Sequence, residues 1–238
     1  MTEVAKFREM DIKRNIELIQ AELNGFGARL IAVSKTQPVE RIMEAYRSGQ
    51  RLFGENKVQE LLAKQPLLPH DIEWHLIGHL QTNKVKNVVP FVAMIHAVDS
   101  ERLADEINKQ AMKAGRIVGC LLQVHIATEE TKFGFDRDEL LRFIRQPGMS
   151  NYTHISFRGL MGMASLTGDK EQVRREFQDL KRLFEEARNV HSPAIAMQEL
   201  SMGMSSDYHI ALEEGSTMVR IGTSIFGERN AINQNQTV

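Results

Sequence analysis

Eight short apolar runs alternating with stretches of helical periodicity constrain the fold of this chain more than any other feature. The pattern is preceded by a helix, because Ile12, Ile16, Ile19 and Leu23 recur at 4-3-4 spacing before Gly25 and Gly27 stop them. Leu30-Ile31-Ala32-Val33 is then a continuous apolar run with β-branched residues, as a strand buried on both faces requires. A helix opens near Pro38, where a missing N–H is harmless, and ends at Gly49. Further strands are expected around Arg51 to Glu55, Glu73 to Gly78 and Val92 to Val98, with a helix through Val58, Leu61 and Leu62. Ser100 caps a helix carrying Leu103, Ile107 and Ala111, and Gly115 ends it. Ile117 to Ile126 is the longest apolar run, and Asp136 with Glu139 forms a capping-box pair for the helix after it. The sixth strand lies near Ile155 to Met161. Asp169 and Gln172 open the strongest helix, whose stripe is Val173, Phe177, Leu180, Phe184 and Ala187. Ala194 to Leu200 and Thr217 to Ile221 complete the set.

Strands that alternate with helices form a parallel sheet, and eight such units close into a barrel. The length of 238 residues suits a (β/α)8 TIM barrel, which needs about 250 residues. The competitor is a doubly wound open sheet. A dinucleotide-binding version would carry G-x-G-x-x-G after the first strand, and this chain does not. No linker, low-complexity tract or charge block divides the chain. The expected organisation is therefore a single domain over residues 1–238, with an extra N-terminal helix over about residues 4–24 and the barrel over about residues 28–230.

Composition then excludes several classes of function. A formal net charge of −1 lacks the basic excess of a nucleic-acid binder. The single cysteine, Cys120, has no intramolecular partner and sits among Val118, Leu121 and Leu122, the setting of an inert buried thiol. The sequence is charged from Glu3 onward, with no apolar signal region and no run of about 20 apolar residues. A cytoplasmic protein with no membrane partner is expected.

In a barrel of this kind chemistry sits at the carboxyl ends of the strands. Read in order, those ends carry Lys35, Asn56, His79, Asp99, His125, Met163, Ser201 and Arg220. Lys35 follows Ala32-Val33-Ser34 directly, so its ammonium is carried to the mouth, where it is expensive to bury unless paired or neutralised. A partly desolvated lysine becomes an amine nucleophile for an aldehyde, although a snorkelling lysine would read the same way. Arg220-Ile221-Gly222-Thr223-Ser224 and Ser201-Met202-Gly203-Met204-Ser205-Ser206 are both small and hydroxyl-rich. Each alone could be an ordinary turn. On adjacent strands they suggest an anion nest, at the habitual phosphate position of this fold.

His75 and His79, four apart on one strand face, invite a metal reading, but no third ligand has suitable spacing, and no metal is expected. Glu129 and Glu130 read as a solvated loop rather than an acid/base pair. Met161, Met163, Met202 and Met204 read as pocket wall.

Several longer segments carry a resemblance. They are Ala32-Val33-Ser34-Lys35-Thr36, Phe53-Gly54-Glu55-Asn56, His75 to Lys84, Gly159 to Met163, Leu200 to Ser205, Val219 to Thr223 and Phe226 to Arg229. Together they resemble the pyridoxal phosphate homeostasis protein family, itself similar to the N-terminal barrel of alanine racemase, over about Leu30 to Arg229. The resemblance implies pyridoxal 5′-phosphate (PLP) held as a Schiff base, the internal aldimine, on Lys35, with Asn56 in the cofactor pocket. It implies phosphate contacts from Ser201, Ser205, Gly222 and Thr223, and Arg220 facing the pyridine nitrogen. It also implies a PLP-binding protein of vitamin B6 and amino-acid balance rather than an enzyme, a monomer, with PLP-dependent apoenzymes as possible partners. Two alternatives stand beside it: a PLP-dependent amino-acid racemase, and a cofactor-free aldolase using Lys35. Racemases similar to this barrel add a second domain with an opposing tyrosine. Nine residues follow the last motif here, so no such domain is expected.

Overall fold

The computed structural model describes residues 11–128 and 133–228. Expectations that fall on Glu129, Glu130, Arg229 and the part of the N-terminal helix before Asp11 lie outside the described residues. Eight strands close into one barrel in the order of the chain, each hydrogen-bonded in parallel to the next and the last to the first. They are β1 (Arg29–Val33), β2 (Leu52–Glu55), β3 (Glu73–Leu76), β4 (Met94–Val98), β5 (Val118–His125), β6 (Ile155–Met163), β7 (Ile195–Met204) and β8 (Met218–Ile221). The open sheet is thereby set aside.

The helices are α1 (Ile12–Asn24), α2 (Val39–Arg47), α3 (Val58–Lys64), α4 (Val85–Val88), α5 (Glu101–Lys113), α6 (Arg137–Arg145), α7 (Lys170–Arg188), α8 (Tyr208–Glu213) and α9 (Thr223–Phe226). Local chemistry sets their starts. The Ser100 side chain accepts from Leu103 N–H, and Asp136 and Glu139 satisfy each other's backbone N–H groups in a complete capping box. On α7, Val173, Phe177, Leu180, Phe184 and Ala187 are all buried. Each Leu or Phe among them contributes about 1.5–3 kcal/mol by burial.

Because successive side chains of a strand point to opposite faces, the apolar residues divide into two layers. Ile31, Met94, Leu121, Met161 and Met218 fill the barrel itself, while Leu30, Ala32, Trp74, Leu76 and Ile95 face the helices. The eighth crossover is minimal, since α9 has four residues. The gap this leaves in the helical ring is filled by α1, which packs on α2, α9 and β1.

Two of the strands whose ends differ from the sequence pattern bear on the site. β3 stops at Leu76, short of Gly78, so His75 and His79 do not share a strand face. β7 continues through Ser201 to Met204, because the Ser201 hydroxyl finds partners inside the barrel and the strand need not end there.

Candidate functional site

Lys35 stands just beyond the carboxyl end of β1 and is half-buried. The loop leaving β8 closes on the same strand. A Cβ on Gly222 would lie 3.2 Å from the Val33 carbonyl oxygen, tighter than side chains normally pack. The end of β1, two residues before Lys35, and the β8 loop therefore approach this closely because residue 222 is glycine.

The loop after β7 joins them. Gly222 N–H donates to Ser205 Oγ at 3.4 Å, linking the two hydroxyl-rich segments. Asp207 shapes the first segment by accepting from Met204 N–H at 2.6 Å, and burial pushes its carboxyl above the usual range. Thr223 is exposed at the head of α9, where the first backbone N–H groups of a helix have no intrahelical acceptor.

Arg220 lies beneath this rim, with 4% of its surface exposed. Its guanidinium donates to the Ser201 carbonyl at 2.8 Å, to Ser201 Oγ at 2.6 Å and to the Gly162 carbonyl at 3.0 Å. Burial lowers its pKa to about 10, so it remains a cation at neutral pH. Ser201 Oγ is 3.1 Å from His96 Nδ1, and His96 Nε2 is 2.8 Å from His75 Nδ1. Both histidines are buried, and desolvation with the nearby cations depresses their basicity, that of His75 to about 3. A polar thread thus runs through the barrel interior below the mouth.

Asn56 follows β2 and is half-buried. Its backbone is fixed by Gly78, where a Cβ would stand 2.4 Å from the Asn56 carbonyl oxygen. His79 is at the mouth, with Nδ1 3.0 Å from Asp99 Oδ2 and its ring 5.3 Å from that of Phe133. In a closed ring of eight, β3 and β4 face β7 and β8, so this pair lies across the mouth from the hydroxyl-rich loops. His75 and His79 consequently serve different surroundings. Among the described residues no group of three or more His, Cys, Asp or Glu could hold a metal ion.

The sequence pattern missed a second buried cluster. Lys64 Nζ donates to Glu55 Oε1 at 2.8 Å, Glu60 Oε1 at 2.6 Å and the Ser34 carbonyl at 2.8 Å. Only the Glu60–Lys64 spacing on a helix hinted at it.

A lysine at the end of the first strand and two small-residue loops at the ends of the last two now stand at one barrel mouth. The alanine racemase N-terminal domain model matches residues 9–230. The pyridoxal phosphate homeostasis protein of Aquifex aeolicus is 41% identical over 224 residues, covering 92% of this chain and 96% of that protein. This chain belongs to that family. The human family member is 41% identical over 221 residues, covering 88% of this chain and 79% of its own. PipY of Synechococcus elongatus, solved with PLP bound, superposes with a TM-score of 0.81 at 37% identity, covering 91% of this chain and 100% of that one.

Proposed function

We propose that this chain is a PLP-binding protein serving intracellular PLP homeostasis and amino-acid balance, with the cofactor covalently attached through Lys35. The observation that carries the reading is the contact between the Lys35 strand and the β8 loop, which brings a lysine beside a two-loop anion cradle. The family names of the Aquifex and human relatives support it, as does the PLP in PipY.

The residues fit the cofactor. Arg220 is a buried cation without a salt bridge among the described residues, and Ser201 and Gly162 take three hydrogen bonds from a group with five donors. It retains donor capacity for a ring-nitrogen acceptor. Ser205, Gly222 and Thr223 would hold the phosphate, Asn56 would line the pocket, and Ser201 joins the set through the guanidinium it fixes. When bound, PLP supplies an aldehyde that captures amines and a ring that withdraws electrons from the attached carbon. Lys35 would supply the amine, two residues after the point where the β8 loop meets β1.

In this reading amino-acid turnover is slight or absent. Arg220 stays charged at working pH and would donate to the ring nitrogen rather than protonate it, which would weaken the electron sink. The protein acts as a single cytoplasmic domain and a monomer, with PLP-dependent apoenzymes as recipients. No helix among the described residues is long and apolar enough to cross a membrane.

The test is absorbance of the purified protein before and after borohydride, followed by mass analysis of the peptide containing Lys35. Attachment at Lys35 that is lost in Lys35→Ala is expected. An unchanged spectrum in that variant would move the site elsewhere, and a colourless protein that does not take up PLP would favour the aldolase.

A further inference from the structure

Both peptide groups that flank Lys35 are held from α3. On one side the Ser34 carbonyl accepts from Lys64 Nζ at 2.8 Å, and the Ser34 hydroxyl donates to Glu55 Oε1 at 2.7 Å. On the other side Thr36 N–H donates to Glu60 Oε1 at 2.5 Å. Lys64 joins the two holds, because the same Glu60 oxygen accepts from its ammonium at 2.6 Å. Gln37 N–H then closes the turn on the Ser34 carbonyl at 3.0 Å.

The held turn is an unfavourable one. Thr36 has φ 63°, the left-handed region, and it is the only non-glycine residue among those described with a positive φ. A β-branched residue adopts that conformation only where its surroundings impose it. The N–H to Glu60 bond lies at that residue.

The cluster is also a poor device for stability alone. Glu55 has no exposed surface, Lys64 is 7% exposed, and Glu55 Oε2 has no hydrogen-bond partner. Desolvation pushes the Glu55 carboxyl above its ordinary range despite the ammonium beside it. Well-packed apolar side chains fill such a space at least as stably as buried charges. What apolar side chains would not do is hold a carbonyl and an N–H on either side of one lysine.

We propose that Glu60 and Lys64 are positioning residues for Lys35, fixing the turn after β1 so that the amine is presented to the aldehyde at the mouth. The inference rests on the reading of Lys35 as the attachment residue. Attachment consumes the neutral amine and the aldehyde and releases one water, and its rate depends on where the amine is held.

The experiment follows the rate of attachment of PLP to Glu60→Ala, Glu60→Gln, Lys64→Met and the Glu60→Ala/Thr36→Gly double variant. Binding of pyridoxine 5′-phosphate, which has the ring and phosphate but no aldehyde, is measured in parallel. Glu60→Ala and Lys64→Met should each slow attachment about tenfold, the factor that ~1.4 kcal/mol represents. Pyridoxine 5′-phosphate affinity should change by less than about twofold, well inside that factor. Glu60→Gln should recover much of the rate, since its amide oxygen can accept from Thr36 N–H. Thr36→Gly should restore rate to Glu60→Ala, because glycine takes positive φ freely. Wild-type attachment rates in both Glu60→Ala and Lys64→Met would overturn the inference. So would equal loss of both ligands with no recovery in the double variant. If wild-type protein binds pyridoxine 5′-phosphate yet never attaches PLP, the proposed function fails instead.

Discussion

Arg220 grips Ser201 twice, donating to its carbonyl at 2.8 Å and to its hydroxyl at 2.6 Å. The hydroxyl continues to His96 Nδ1 at 3.1 Å, and His96 continues to His75 at 2.8 Å. With both histidines neutral, the tautomers are linked. If the Ser201 hydroxyl donates to His96 Nδ1, then His96 Nε2 must carry the proton and donate to His75. If His96 Nδ1 carries it, the order reverses and His75 Nδ1 donates. The direction of the Ser201 proton beneath the mouth is therefore coupled to His75.

Ser201→Ala removes one Arg220 acceptor and the partner of His96 Nδ1 while leaving the main-chain carbonyl in place. The expected destabilisation is about 1–3 kcal/mol, the cost of a buried polar group left unmatched. Denaturant unfolding at neutral pH measures it, and a midpoint equal to wild type would exclude the linkage described above.

The histidine pair also sets an acid response. The pKa of His75 falls from 6.5 to about 3 on folding, and that of His96 is likewise lowered. The unfolded chain therefore binds more protons below pH 6.5, so the histidine contribution is complete above that value and lost as pH falls towards 3. Each histidine contributes up to about 1.4 kcal/mol per pH unit. Between about pH 6.5 and 5, above the range where free carboxylates titrate, stability should fall as pH is lowered, and less steeply in His96→Gln. The same slope in wild type and variant would show that His96 is not the source.

Thr223→Ala addresses the phosphate. If its hydroxyl contacts only that group, PLP should bind more weakly by about 1.5–3 kcal/mol, with pyridoxal little affected. Titration of both ligands decides it, because equal weakening would give Thr223 another role.

Gly78→Ala would place a Cβ 2.4 Å from the Asn56 carbonyl oxygen, and that neighbour is main chain. The loops after β2 and β3 would have to separate, at about 1–3 kcal/mol, and Asn56 would move with them. A lowered urea midpoint with weaker PLP binding is expected. Unaltered PLP affinity in a folded variant would remove Asn56 from the pocket.

Slight turnover is checked by α-deuterium exchange into alanine in heavy water, followed by chiral analysis. Exchange near the uncatalysed background is expected. Rapid exchange and racemisation that disappear in Lys35→Ala would establish an enzyme.

The barrel was legible because most strand–helix units carry their own period, and α7 keeps its stripe along its whole length, whereas the short α4, α8 and α9 gave no such signal. Lys35 stood out because a cation is expensive at a buried strand end, and Arg220 because it opens a small, hydroxyl-rich segment at the end of the last strand. His96 left no such mark. It lies between Ile95 and Ala97, and its partner on the neighbouring strand is 21 residues away. Lys64 read as an ordinary helix partner of Glu60, and its burial depends on Glu55 and Ser34 arriving from two strands. The length of β7 was hidden for the same reason, since Ser201 is satisfied by Arg220, 19 residues later.

Asn15 Nδ2 on α1 donates to the Ile225 carbonyl on α9 at 2.9 Å, across 210 residues. During synthesis α1 leaves the ribosome long before the partner that completes its packing exists. Its face of Ile12, Ile16, Ile19 and Leu23, buried in the finished molecule, meets α2 and β1 early but is completed only when α9 arrives. Contacts of such separation form late and slowly. A chain ending before Thr223 would therefore leave that face uncovered on the α9 side.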